Sequence, residues 1–314
     1  MSKRALGNSG IEVEPLALGG NVFGWSVDTT TAFGVLDAFA GEGLEFIDTA
    51  DVYPAWAPGN QGGESETMIG EWLKRSGKRE RMVIATKVAK WAPRKGLSAA
   101  NIAAAADDSL RRLGIDRIDV YYAHEDDASV PLEETLGAFA RLIEAGKVRT
   151  IGASQYTAPR VAQALSISTT LGLPRYEVLQ NEYNLVARTE YEGALQALAL
   201  KENLGFVPYY GLASGFLTGK YRSEADLGKS KVRGGSVKKF LNPHGLSVLA
   251  ALDEVAARHR ATPAQIALAW IMAQPGLSAP IASATSVAQV RELAAATRIG
   301  LTAEDVALLD RASA

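Results

Sequence analysis

Short apolar, β-rich runs recur along the chain, each bounded by polar residues or glycine. They are Leu16–Gly19, Glu45–Asp48, Met82–Thr86, Ile118–Tyr122, Val148–Gly152, Glu177–Gln180, Gly205–Tyr209 and Ser278–Ala282. Runs this short and this continuously apolar read as strands buried on both faces. Helix-like stretches lie between them: Thr29 to Ala40, Ser98 to Leu113, Pro131 to Glu144, Thr157 to Thr170, Tyr191 to Glu202, Leu246 to His259 and Ser286 to Ala296. Ser98 is placed to cap its helix, and Pro131 with the acids behind it starts one that stops near Gly146. Most successive runs begin about 28–37 residues apart, the length of one strand–helix unit. Eight alternations predict an α/β fold of the closed (β/α)₈ barrel type, with residues 1–314 as a single domain. The rival, an open doubly wound sheet, usually carries a glycine-rich dinucleotide fingerprint after its first strand. Here Leu18-Gly19-Gly20-Asn21 stands in that place.

Some stretches fall outside the repetition. Lys3 to Glu14 reads as a hairpin around Asn8-Ser9-Gly10, suited to plug the barrel bottom. Ser214 to Gly245, between the seventh strand and its helix, is a long loop of the kind that often forms a lid or binding segment. It carries Lys220, Arg222, Lys229, Lys231, Arg233, Lys238 and Lys239 against only Glu224 and Asp226. Taken singly, each of these lysines also fits a solvated surface. Two further helical stretches, Thr262 to Ala273 and Ala303 to Arg311, flank the last unit.

Composition narrows the chemistry. A net charge of −2 offers no basic excess for nucleic acid or an anionic membrane. There are no cysteines and only three histidines, so no disulfide, thiolate metal site or multi-histidine metal site is expected. No apolar run resembles a secretory signal or a membrane span. A cytoplasmic protein acting on a small molecule is the expectation; its oligomeric state is not readable.

The active site of such a barrel lies at the C-terminal ends of its strands. The second strand ends in Asp48, and its loop presents Asp51 and Tyr53; the third ends in Lys87 and the fourth in His124. Each alone is as easily structural: a buried Lys–Asp pair, a packing tyrosine, a histidine beneath a loop. Together they form an acid–base set. An ammonium beside a tyrosine should lower the phenol's pKa, so that Tyr53 exchanges a proton with a carbonyl oxygen while His124 orients that oxygen.

At these residues the chain resembles the aldo-keto reductase family. The matching pieces are Phe46 to Tyr53 (FIDTADVY), Ala85 to Val88 (ATKV), Asp107 to Tyr121 (DDSLRRLGIDRIDVY), Tyr121 to His124 (YYAH), Gly146 to Ser154 (GKVRTIGAS) and Gln180 to Asn184 (QNEYN). They run in order over essentially the whole chain. Pro208 to Lys220 (PYYGLASGFLTGK) looks most like the bacterial general aldo/keto reductase branch. The resemblance implies an NAD(P)H-dependent reductase of aldehydes and ketones working by direct hydride transfer without a metal. Its catalytic tetrad would be Asp48, Tyr53, Lys87 and His124, with Tyr53 the general acid. Ser154, Gln155 and Gln180 match the positions that hold the carboxamide, and Tyr209 the aromatic stacked on the nicotinamide. Leu212, Gly215, Leu217 and Lys220 match the loop over the pyrophosphate.

The sequence departs from the family pattern at three places. Gln155 stands where Asn is frequent, and Gly211 where proline is common. Ser283, Thr285, Ser286 and Gln289 occupy the stretch that holds the adenosine 2′-phosphate, where Lys or Arg is common; Arg291 is the nearest cation. NADP(H) is the implied cofactor, with NAD(H) the alternative. The alternative activities are an NAD-dependent sugar or alcohol dehydrogenase, and a nicotinamide-binding sensor or regulatory subunit like the family's channel-associated members. For the substrate, Trp25 and Trp56 are the expected pocket walls, with Phe23 and Trp91 as further aromatics; Asp126 and Asp127 either meet substrate hydroxyls or are solvated, the latter being the preferred reading.

Overall fold

The computed structural model describes residues 2–230 and 232–314. Strands β1 (Arg4–Ala5) and β2 (Glu12–Val13) pair antiparallel, Arg4 opposite Val13, as the expected hairpin. Eight parallel strands follow: β3 (Ala17–Gly19), β4 (Phe46–Asp48), β5 (Val83–Val88), β6 (Ile118–Ala123), β7 (Val148–Ser154), β8 (Tyr176–Gln180), β9 (Gly205–Phe206) and β10 (Ile281–Ala282). Their order is β10-β3-β4-β5-β6-β7-β8-β9. The sheet closes where Phe206 bridges Leu277 and the Ile281 amide donates to the Pro208 carbonyl at 2.8 Å. All eight runs read from the sequence are therefore barrel staves. The seventh and eighth are shorter than read, the paired residues stopping at Phe206 and starting at Ile281.

The helices are α1 (Thr29–Gly41), α2 (Glu64–Ser76), α3 (Ala99–Leu113), α4 (Leu132–Glu144), α5 (Ala158–Leu171), α6 (Ala194–Lys201), α7 (Gly234–Val237), α8 (Pro243–His259), α9 (Pro263–Ala273), α10 (Val287–Ala296) and α11 (Ala303–Ala312). Local chemistry sets their starts. The Ser98 side chain accepts from the Asn101 amide, and Thr262 with Gln265 forms a reciprocal cap. Helix α2 has no counterpart in the sequence reading. Its inward face includes Ser65 and Glu66 as well as Ile69, Trp72 and Leu73, and Gly70 interrupts it, so its apolar periodicity is weak. Glu66 tolerates full burial because Arg112 donates to it at 2.6 Å and the Thr86 hydroxyl at 2.5 Å.

Inside the barrel a small apolar layer is formed by Ala17, Phe46, Ala85, Val120, Tyr122, Val178, Val207, Ala279 and Ile281. Leu6, Ile11 and Val13 of the hairpin join it from below. The hairpin thus seals the N-terminal end of the strands, held by Arg4 donating to the Leu277 carbonyl and Ser278 to that of Ala5. Its fit requires glycine at position 7, where φ is +60° and an added Cβ would stand 2.3 Å from the Glu177 carbonyl oxygen. With the bottom closed, the only way up from this layer is toward the strand C-termini.

Candidate active site

Strand side chains alternate between the two faces, so the residue two beyond an interior one also points inward. Phe46 is followed by Asp48, Ala85 by Lys87, Tyr122 by His124 and Val178 by Gln180. The same step leads from Val207 to Tyr209 and from Ile281 to Ser283. The next interior layer is therefore polar. Above it opens a cavity of about 1150 Å³, lined by Asp48, Tyr53 and His124 among others.

Lys87 lies beneath this floor, fully buried. Its Nζ donates to Asp48 Oδ2 at 2.7 Å and to the Thr49 carbonyl at 2.7 Å, and stands 3.5 Å from the Tyr53 hydroxyl. Asp48 Oδ1 in turn accepts from Gln180 Nε2 at 2.9 Å. The Tyr53 ring meets His124 edge-on at 5.7 Å between centroids. The four residues named from the sequence thus converge on one phenol.

Their protonation differs in one respect from the sequence expectation. Burial, then the charge of Asp48, pushes the Tyr53 phenol well above its ordinary pKa rather than below it. Burial dominates because it disfavours the charged phenolate, and the Asp48 carboxylate adds to it. Lys87 itself is lowered by burial, against the opposing pull of Asp48. His124 is driven well below the usual imidazole value by burial and by Lys87 and Lys90, so it is neutral at physiological pH. Its Nδ1 has no partner among the described residues. Asp51 is buried with Oδ1 unpartnered, and burial followed by Glu66 raises it to about 7.

Most of the remaining candidates also line the cavity: Trp25, Trp56, Ser154, Gln155, Gln180, Tyr209, Leu212, Gly215, Lys220, Ser283, Thr285 and Gln289. Ser154 Oγ is buried without a partner. Gln155 holds a left-handed backbone, φ 59°, and donates from Nε2 to the His124 carbonyl at 3.2 Å. That region favours Asn among non-glycine residues, which accounts for the frequent asparagine at the matching family position. Gln180 differs from expectation in that its amide nitrogen is already committed to Asp48. Leu217 is buried in the core, and Ser286 caps α10 by accepting from the Gln289 amide; neither lines the cavity. Arg291 is exposed and outside the lining, and Ser283 donates to Asn21 Oδ1 at 2.6 Å.

The other aromatics and acids are structural. Phe23 is core, and Trp91 donates to the Gln61 carbonyl outside the cavity. Asp126 is partly exposed and held by Arg160 at 2.7 and 2.8 Å, and Asp127, also partly exposed, accepts from the Leu97 amide. In the long loop, acids neutralise three of the cations: Arg222 pairs with Asp253, Lys229 with Asp226 and Lys238 with Glu224. Lys231 lies outside the described residues. Lys239 covers the Phe240 ring, and only Lys220 and Arg233 of the loop's cations line the cavity among the described residues. Sequence reasoning counted Arg233 merely as loop charge and passed over Tyr210 and Asn21, which also face the cavity. No signal in the sequence separates these from their neighbours.

The family model described as "Aldo/keto reductase family" matches residues 15–314. The chain belongs to the aldo/keto reductase family. It is thus an oxidoreductase, as the resemblance implied. It is 31% identical to Protein tas of Escherichia coli (strain K12), over 93% of this chain and 91% of that one. It is 33% identical to a probable voltage-gated potassium channel subunit beta of Arabidopsis thaliana, over 93% and 90%. The NADP(+)-designated aldo-keto reductase yakc of Schizosaccharomyces pombe (strain 972 / ATCC 24843) is 31% identical, over 85% and 78%. Among the described residues no helix is long and apolar enough to cross a membrane.

Proposed function

We propose that this protein reduces aldehydes and ketones with a nicotinamide cofactor, NADP(H) in the first instance, and that residues 1–314 act as one barrel domain. The reading rests on one observation: Lys87 Nζ joins Asp48 to the hydroxyl of Tyr53, whose ring abuts His124 at the floor of the cavity. The cofactor fits the donor set. Among the described residues Ser154 Oγ is an unsatisfied polar atom of the kind an amide would complete, Tyr209 offers an aromatic face, and Lys220 is a cation without an ion pair beside Gly215. When bound, dihydronicotinamide supplies the hydride that reduces a carbonyl carbon.

The protein's own groups handle the oxygen. Tyr53 remains a protonated phenol at neutral pH, so it is the proton donor to the developing alkoxide. Lys87, hydrogen-bonded to Asp48, provides the nearby positive charge that stabilises the phenolate left behind. Neutral His124 offers a ring nitrogen to the same oxygen and orients it. Trp25 and Trp56, edge-on at 5.6 Å, wall the space above Tyr53 and keep it apolar.

NADH is the second reading, favoured by the adenosine end. Thr285 and Gln289 bond each other, Ser283 bonds Asn21, and Glu292 brings a carboxylate into the lining. No basic side chain stands there to meet a 2′-phosphate among the described residues. Fluorescence titration with NADPH and NADH, followed by turnover with simple aldehydes, tests both readings. Preference for NADPH supports the first, and preference for NADH the second. Binding without measurable turnover would favour a regulatory role; binding of neither would overturn the proposal. Tyr53→Phe is expected to lower turnover at least about a hundredfold with the cofactor Kd changed by less than about twofold. Substantial residual activity would remove Tyr53 as donor.

A further inference from the structure

Asp51 takes no part in the mechanism above, yet it is only 3% exposed and its Oδ1 has no hydrogen-bond partner among the described residues. A carboxyl taken out of water without a partner is costly to ionise. Its surroundings add to that cost. Glu66 of α2 is a second buried carboxylate, and the Arg112 guanidinium of α3 is committed to it at 2.6 Å. Lys87 of β5 also acts on Asp51, but its ammonium is bonded to Asp48 at 2.7 Å. From β6 the Tyr121 hydroxyl, likewise buried without a partner among the described residues, remains a neutral phenol. Arg94, whose charge also reaches Tyr121, pairs with Asp108. Lys87 thus serves Asp48 and Arg112 serves Glu66, and Asp51 is left without an ion pair among the described residues.

The same place carries the proton donor. Asp51 stands two residues before Tyr53, and its amide donates to the Lys87 carbonyl at 3.2 Å. The Tyr53 carbonyl accepts from the Gly63 and Ser65 amides at 3.1 and 3.2 Å, which ties it to the start of α2. That start rests on Arg112, since a Cβ at Gly63 would stand 2.5 Å from its Cδ. A Cβ at Gly62 would stand 3.0 Å from the Asp51 carbonyl oxygen. Asp51, the Glu66–Arg112 pair and both ends of the Tyr53 loop therefore pack as one unit.

We infer that Asp51 is a positioning residue for Tyr53: its neutral form keeps the Tyr53 loop seated on the Glu66–Arg112 pair, and its ionisation slows proton transfer from the phenol. The inference deepens the reductase reading above and rests on it. Two effects of ionisation act in the same direction. A negative Asp51 disfavours the phenolate that forms as Tyr53 gives up its proton. It also competes with Glu66 for Arg112, the bed of α2's first turn. Burial, then Glu66, sets the Asp51 pKa at about 7, so the change falls near neutrality.

The test follows kcat/KM for 4-nitrobenzaldehyde, a substrate without a titrating group, against pH. In the wild type it is expected to fall at least about fivefold between about pH 6 and 8.5. In Asp51→Asn that fall shrinks below about twofold, because the amide cannot ionise. A flat wild-type profile, or a fall that survives in Asp51→Asn, overturns the inference and leaves the reductase reading intact. No turnover at any pH counts against the reductase reading itself, and stability then tests Asp51. Its carboxyl is raised above the ordinary 3.8, so between 3.8 and about 7 the folded chain binds more protons and stability falls as pH rises. Asp51→Asn lacks that loss. Its Tm is therefore expected to gain on the wild type by about 2 °C or more from pH 5 to 8, and a constant difference overturns the inference. Should Asp51→Asn fail to fold, carbon-13 NMR of the wild type labelled at the aspartate side-chain carboxyl decides. One resonance is expected to titrate near 7 together with kcat/KM, and its absence would overturn the inference.

Discussion

Asp48→Asn tests the centre of the site most directly, because the carboxylate serves two donors at once. Oδ2 accepts from Lys87 at 2.7 Å and Oδ1 from Gln180 at 2.9 Å. An asparagine has one acceptor. Whichever way its amide turns, its NH₂ faces a donor. If the oxygen keeps Gln180, the ammonium of Lys87 retains only the Thr49 carbonyl and Tyr53 around it, in a fully buried position. Removing one partner of a buried ion pair costs about 3–5 kcal/mol. For 314 residues this corresponds to a fall in Tm of roughly 5–8 °C.

The loss should also depend on pH in a definite sense. Burial already places the Lys87 pKa below its ordinary value of 10.5, with Asp48 opposing that shift; without Asp48 it falls further. Between the folded and unfolded values the unfolded chain binds more protons, so stability rises with pH across that window. The window is wider in the variant. The deficit in Tm should therefore be largest at the acidic side and narrow as pH approaches 10.5. Scanning calorimetry of both proteins at neutral and alkaline pH measures this. A deficit that stays constant, or a Tm equal to that of the wild type at neutral pH, would refute the idea that Asp48 compensates a buried ammonium.

Other expectations follow from the same geometry. His124 is neutral well below the ordinary imidazole pKa of 6.5, so kcat/KM for a neutral aldehyde should show no inflection between about pH 6 and 8 attributable to it; an inflection that disappears in His124→Gln would contradict this. Gly70→Ala should destabilise the protein. A Cβ there would stand 2.3 Å from the Arg112 carbonyl oxygen at the end of α3, and overpacking against backbone costs about 1–3 kcal/mol, more than the ~1 kcal/mol that alanine gains in a helix. Urea unfolding giving an unchanged or raised midpoint would show that the two helices separate freely.

Helix α2 shows why part of the fold was not legible. The sequence signal for a helix is an apolar stripe, and α2 puts Glu66 and Ser65 on its inward face because Arg112, Thr86 and Gly20 satisfy them there. Those partners are distant in sequence, so the stripe looks broken until the chain folds. The barrel strands lacked that difficulty. Buried almost entirely, they are mostly apolar, and glycine or polar residues mark their ends.

The sequence by itself determined the barrel and the layer in which its chemistry stands. Period-two alternation and the rule that such barrels work at their strand C-termini are enough to bring Asp48, Lys87 and His124 together, with Tyr53 on the adjoining loop. Only the tertiary structure decided how those groups are charged and which neighbours are free. The Tyr53 phenol is raised rather than lowered because burial dominates and the charge of Asp48 adds to it, and the extent of burial is set by the whole fold. Gln180 is tied to Asp48 from a strand four staves away. Of the loop's cations, distant acids such as Asp253 neutralise some while Arg233 is left facing the cavity. Residue type and local pattern set position along a strand, whereas desolvation and charge pairing are sums over everything the fold brings near.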